Sequence, residues 1–132
     1  MSEELARRAV ACKGWRWLPG MLTLPFHEDN DLSRPECHPP WRLTREGIAG
    51  PWAHDPTWGS LPDLSDPATV GALLALVREA WGDPGASVWH DRRVSVWSWM
   101  ADGCIHGVWR PSDADGYETE AEALVAALEA AP

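Results

Sequence analysis

The sequence predicts an α+β domain, an α–β–α sandwich with three helices around a short antiparallel sheet of 3–5 strands. Three observations carry that expectation. Three segments space their apolar residues at the helical period and carry end signals. The stretch from Ala86 to Arg110 alternates in the manner of strands and is broken by turn residues. Both faces of its middle strand are apolar, so both are expected to be covered.

The first helix is expected over Glu3–Cys12, with Leu5, Ala6, Ala9 and Val10 on one face. Ser2 suits its cap, Glu3 and Glu4 suit its positive end, and Lys13-Gly14 suits its end. Trp15-Arg16-Trp17 then reads as extended, and Pro19-Gly20 as a turn. Residues 18–60 form a Pro/Trp-rich variable segment. Short strands are expected there at Met21–Leu24 and Trp41–Thr44, with a turn at Arg45-Glu46-Gly47 and a loop over His27–Asp31. Trp41, Trp52 and Trp58 argue that this segment lies against the domain, because disordered chain is poor in aromatics.

The second helix has the clearest signals. Asp66 stands at its cap, Pro67 at its first position, Gly82 just past its end, and Pro84 bars continuation. Val70, Leu73, Leu74, Val77 and Trp81 form its apolar stripe over 67–81. Strands are expected at Ala86–His90, Val94–Met100 and Cys104–Arg110. Asp91-Arg92-Arg93 forms the first turn and Asp102-Gly103 the second, the latter a hairpin signal. In the middle strand Val94, Val96 and Met100 fall on one face and Trp97 and Trp99 on the other, with Trp89 a candidate to join that pair. Thr119-Glu120-Ala121-Glu122 fits a capping box. A third helix follows to Ala130, with Ala121, Leu124, Val125 and Leu128 inward. No internal repeat is evident, and residues 1–132 read as a single domain.

Composition narrows the function. At 132 residues a chain buries roughly two-thirds of its unfolded surface, enough for a core without metal or disulfide staples. No run of about 20 apolar residues is present, and the acidic start lacks the apolar stretch of a secretory signal. Cys12, Cys37 and Cys104 are odd in number and far apart, which points to reduced thiols and a cytosolic setting. A net charge of −9 disfavours nucleic acid as a partner. Ten tryptophans against one Phe and one Tyr demand an account in packing or in binding.

Gly14-Trp15, Leu61-Pro62-Asp63-Leu64, Ala80-Trp81-Gly82 and the Glu120–Ala131 helix together resemble the phage ABA-sandwich domain, a class of short phage and prophage proteins. The similarity spans residues 3–17 and 61–131 and leaves out 18–60. The resemblance implies a phage source, the sandwich fold and, by analogy with small phage proteins, a counter-defence role. It carries no catalytic residues with it.

Indoles stack on nucleobases for roughly 1–3 kcal/mol per base, and arginine forks hold phosphate. Trp15, Arg16, Trp17, Arg92, Arg93, Trp97 and Trp99 are therefore the candidate ligand-binding residues. The competing account is that most of the indoles fill the layers of the sandwich. Cys37, His38, Cys104 and His106 could supply zinc ligands, with His27, His54 and His90 as further imidazoles. Adjacent ligands and the lack of a C-x-x-C pair favour a buried thiol and surface histidines instead, so no metal or cofactor is expected. His90-Asp91 and His54-Asp55 read as turn chemistry before acid–base pairs. Asp113, Asp115, Glu118, Glu120 and Glu122 read as a solvated loop and helix start.

The function expected from these residues is a non-enzymatic phage protein that binds and sequesters a small nucleotide immune signal in the host cytoplasm. One alternative is a protein–protein inhibitor of a host factor, working through the acidic surface or segment 18–60. Another is a small nucleotide hydrolase using His90, Asp91 or His106. Sheet edges and surplus indoles point to a homo-oligomer. No membrane contact is expected.

Overall fold

A computed structural model describes residues 3–24, 42–44, 47–49, 61–106 and 116–132. It contains α1 (Glu3–Ala11), β1 (Arg42–Thr44), β2 (Gly47–Ala49), α2 (Pro67–Trp81), β3 (Ser87–Asp91), β4 (Val96–Ala101), β5 (Cys104–His106) and α3 (Glu120–Glu129). This is the expected α+β class, three helices with short antiparallel sheet. β3, β4 and β5 form one sheet in that order, and β1 pairs with β2 as a separate ribbon. The expected Ser2 cap, the loop at His27–Asp31, and Trp41, Trp52, Trp58 and Trp109 lie outside the described residues. So do Cys37, His38, His54-Asp55, Asp113 and Asp115, and the last part of the third expected strand.

Helix α2 forms where its signals place it. The Asp66 carboxylate accepts from the Thr69 backbone N–H, Pro67 opens the first turn, and Gly82 closes the helix at φ 63°. Its buried side differs from the expected stripe. Thr69, Leu73, Leu76 and Val77 are buried, whereas Val70, Leu74 and Trp81 are half-buried. The buried arc is turned toward Thr69 and Leu76 because the helix meets both α3 and the segment around Leu22. In α1, Leu5, Ala6 and Ala9 are buried as expected, and Arg8 pairs with Glu129 of α3. Gly14 does not take a left-handed conformation. Its role is close approach: a Cβ there would lie 3.0 Å from the Ala80 Cβ and 3.1 Å from a Leu128 methyl.

Helix α3 starts on Thr119, whose hydroxyl accepts from the Glu122 N–H at 3.1 Å. The returning bond of the capping box lands one residue early, with Glu118 N–H donating to the Glu122 carboxylate at 3.0 Å. Ala121, Leu124, Val125 and Leu128 are all buried, and Ala123 and Ala127 with them. The helix needs so many small buried residues because it touches α1, α2, β3 and β4. The Trp81 indole N–H donates to the Ala127 carbonyl at 2.8 Å, locking α2 to α3. The starts of α2 and α3 line one shared cleft, and their last turns line another. These two helices therefore run parallel.

In the sheet, Asp102 and Gly103 take φ 47° and 76°, the two positive values of a type I′ hairpin turn. The first turn is longer than expected. Residues 92–95 form it, with Ser95 at φ 54°, so β4 starts at Val96 and Val94 stands in the turn, 47% exposed. Both faces of the sheet are covered: the neighbours Ser98 and Trp99 point to opposite sides and are each 1% exposed. Residues 116–117 return beside β4. Trp97 N–H donates to the Tyr117 carbonyl at 2.7 Å, and Tyr117 N–H donates back at 2.9 Å.

The segment around Leu22 acts as a strand-like bridge between distant stretches. Leu22 pairs with Arg42 and Thr23 with Pro62. Arg42 then reaches the start of α2. Its guanidinium meets the Asp66 carboxylate in a two-pronged pair at 2.9 and 3.0 Å and donates to the Gly20 carbonyl at 2.8 Å. Thr69, fully buried, donates its hydroxyl proton to Asp66 at 2.9 Å and accepts from the Leu22 N–H at 2.8 Å.

Chiefly through the Arg42 hydrogen bond, and then those of Thr69, the Asp66 carboxyl is held down at about 2 against its usual 3.8. A depressed carboxyl stabilises the fold above the unfolded value, and that contribution is lost as pH falls from about 4 towards 2. At 1.36 kcal/mol per pKa unit the whole shift, to which Arg42 and Thr69 both contribute, would be worth about 2 kcal/mol. Arg42 is half in solvent, which reduces this to about 1–2 kcal/mol. Asp66→Asn keeps a capping acceptor and removes the charge. It should destabilise the protein by about 1–2 kcal/mol at neutral pH. Denaturant titrations at stepped pH should show the two proteins converging as pH approaches about 2.

Candidate functional site

The candidate residues fall into two groups. No hydrogen bond or ring contact among the described residues joins one group to the other. The first follows α1. Trp15 N–H donates to the Cys12 carbonyl at 3.0 Å, and the chain then runs extended to Leu18. Extended backbone puts Trp15 and Trp17 on one side and Arg16 on the other. The two indoles meet edge to face, 5.5 Å apart and at 82°, half-buried against the core. The Trp15 indole N–H is itself buried and has no acceptor among the described residues. Arg16 points away from both rings and pairs with Glu79 of α2. The sequence offered Trp15, Arg16 and Trp17 together as ligand-binding candidates; alternation of the extended chain and Glu79 divide them.

The second group is the β3–β4 hairpin. Its register sets Val88 opposite Trp99, Trp89 opposite Ser98 and His90 opposite Trp97. Directly opposed residues share a face, so Trp89 lies on the other side from Trp97 and Trp99 and does not join them. Trp99 is 1% exposed and packs on the Trp81 ring at 5.6 Å, which places it in the core and out of reach of a ligand. Trp97 is half-buried, and the His90 ring lies over it at 5.2 Å and 36°. Spacing alone did not single out His90 as part of this surface. Its signal is the register, which follows from the length of the turn.

The turn holds Arg92 and Arg93, both exposed. Arg93 N–H donates to the Asp91 carboxylate at 2.9 Å, and its guanidinium lies 3.5 Å from the same oxygen. The backbone bond from Arg93 is the main reason the Asp91 carboxyl is held below its ordinary range. Arg92 makes no ion pair among the described residues. The hairpin end thus presents a tilted His90–Trp97 ring pair with two accessible guanidinium groups two to three residues from His90. His90 and Asp91 are consecutive in a strand and leave it on opposite faces, so they do not form an acid–base pair with each other.

Two clefts lie elsewhere. One of about 520 Å³ runs between the ends of the helices and is lined by Arg8, Cys12, Gly14, Ala80, Leu128 and Glu129 among others. Burial first, and Glu129 second, push the Cys12 thiol above its ordinary pKa, so it is a poor nucleophile. The other, of about 400 Å³, lies between Leu64, Pro67, Val70, Gly71 and the start of α3 at Thr119–Ala121. None of the seven candidate residues lines either cleft. Among the described residues no three His, Cys, Asp or Glu side chains gather as a metal site. No helix among them is long and apolar enough to cross a membrane. No family model, no curated protein and no solved structure matches the chain.

The difference between Trp97 and Trp99 is measurable. Trp99→Ala should cost about 3–5 kcal/mol by denaturant unfolding, the usual range for emptying a buried indole site. Trp97→Ala, with the ring only half-buried, should cost about 1–2 kcal/mol. Arg16→Ala breaks only an exposed pair and should change stability by about 0.5 kcal/mol or less. Equal losses at Trp97 and Trp99 would mean that Trp97 is a core residue with no surface role.

Proposed function

We propose that this protein is a non-enzymatic binder that takes up and sequesters a small nucleotide signal. The observation that supports it best is the hairpin end, where the His90–Trp97 ring pair sits next to the accessible Arg92 and Arg93. Aromatic faces accept a base and guanidinium forks accept phosphate oxygens. The counter-defence role and the host-cytoplasm setting rest on the resemblance of Gly14-Trp15, Leu61–Leu64 and Ala80-Trp81-Gly82 to the phage class. The hairpin end is an open surface, and a second copy of the chain would supply the second wall that a nucleotide site needs. A homo-oligomer is therefore part of this reading.

A second reading has its own observation. Val94 projects from the same turn between Arg93 and Ser95 and is the exposed large apolar residue of the described chain. An apolar tip preceded by two arginines suits contact with an acidic host protein, as an inhibitor would make.

Purified protein mixed with a panel of cyclic and ADP-ribose-type nucleotides should deplete one of them from the filtrate, and heating should return it intact. Arg92→Ala and Arg93→Ala should each weaken binding by about tenfold, the loss of one charge-assisted contact. Trp97→Ala should weaken it too, and Trp97→Phe less. A nucleotide returned cleaved would make the protein a hydrolase. If every nucleotide stays free, the sequestration reading fails, and the Val94 tip becomes the surface to test.

A further inference from the structure

The β3–β4 turn carries one hydroxyl, on Ser95, that nucleotide binding leaves unused. We propose that Ser95 is a phosphorylation site for a serine/threonine protein kinase with an acidic substrate groove. The juxtaposition that points to it is Arg92-Arg93-Val94-Ser95 displayed together on an exposed turn.

The two guanidinium groups stand three and two residues before the hydroxyl. A kinase groove lined with carboxylates holds such forks by paired, charge-assisted hydrogen bonds. The apolar Val96 follows Ser95 directly. The chain contains one other Arg-Arg pair, Arg7-Arg8, and it is followed by Ala9 and Val10, which offer no hydroxyl. That pair is also engaged, with Glu3 and Glu129.

The turn is presented for capture. All four residues are exposed, with the Arg93 side chain at 91%. The Ser95 hydroxyl makes no hydrogen bond among the described residues. A kinase takes its substrate extended, so the turn must open. What holds it is the Asp91 carboxylate on Arg93, at 2.9 and 3.5 Å, with the guanidinium in solvent and the carboxylate half-buried. Ser95 is a non-glycine residue at φ 54°, and extension relieves that backbone. Opening need go no deeper than Val96, because Trp97 is held by both backbone bonds to Tyr117.

In the step itself the Ser95 Oγ attacks the γ-phosphorus of a nucleoside triphosphate supplied with the kinase. The Oγ–P bond forms, and the bond from that phosphorus to the β–γ bridging oxygen breaks. The diphosphate leaves, and the hydroxyl proton passes to the kinase's catalytic base. The product carries a phosphate close to Arg92 and Arg93, and Arg93 can pair with it in place of Asp91.

The test uses the full folded chain, ATP, and the catalytic subunit of cyclic-AMP-dependent protein kinase as the probe. Intact mass should rise by one phosphoryl group, and fragmentation should place it on Ser95. Ser95→Ala should abolish the gain, and Arg92→Ala and Arg93→Ala should each lower kcat/KM by about tenfold or more. Circular dichroism of the variants shows whether each is folded. No incorporation, incorporation at another residue, or incorporation at Ser95 that ignores both arginines would each overturn the proposal. The readout is mass, so the outcome does not depend on whether the hairpin binds a nucleotide.

Discussion

The fold depends most on one polar junction, the meeting of Arg42, Asp66, Thr69 and Leu22. Three stretches far apart in sequence converge there: the Gly20–Thr23 segment, β1, and the 61–66 run that leads straight into the first turn of α2. Each member satisfies another. Asp66 caps the helix, neutralises Arg42 and accepts from Thr69; Thr69 in turn accepts from the Leu22 backbone. A fully buried threonine at that position would carry a desolvation penalty if any of these partners were absent. The junction therefore fixes the position of the ribbon relative to the helices, which apolar contact alone would leave free to slide.

The tryptophans have divided roles. Trp99 and Trp81 form the contact between β4 and α2, and the Trp81 N–H ties α2 to α3. Those two indoles are accounted for by packing. Trp97 sits two residues from Trp99 on the same face, at the strand end next to the turn, where the helices no longer cover it fully. The same strand thus runs from surface to core within one side-chain repeat, and the hairpin end stands on a rigid base.

Much of this was legible in sequence wherever the cause is local. The caps of α2 and α3, the Pro67 start, the Gly82 end and the Asp102-Gly103 turn all act within a few residues. What was not legible is set by partners distant in the chain. Leu76 and Thr69 are buried because α3 and the Leu22 segment lie against α2. Gly14 read as a helix end, and is instead the point where the chain presses on Ala80 and Leu128. The pairing of residues 22–23 with Arg42 and Pro62 has no local signal. In the candidate site, periodicity put Trp97 and Trp99 on one face correctly. It could not show that Trp81 covers one of them, that Glu79 takes Arg16, or that a four-residue turn sets Trp89 opposite Ser98.

Helix α3 is the last element in chain order and the one that touches α1, α2, β3 and β4. A nascent chain emerges from the ribosome in that same order. Until α3 has left the exit tunnel, Leu73, Leu76 and Trp99 lack the surface that closes over them. The earlier elements are then held by the ribbon and the Asp66 junction, with their apolar faces open to water and to chaperones. Completion of the core is thereby tied to the end of translation of this region, and a chain halted before Thr119 is left as a substrate for proteolysis.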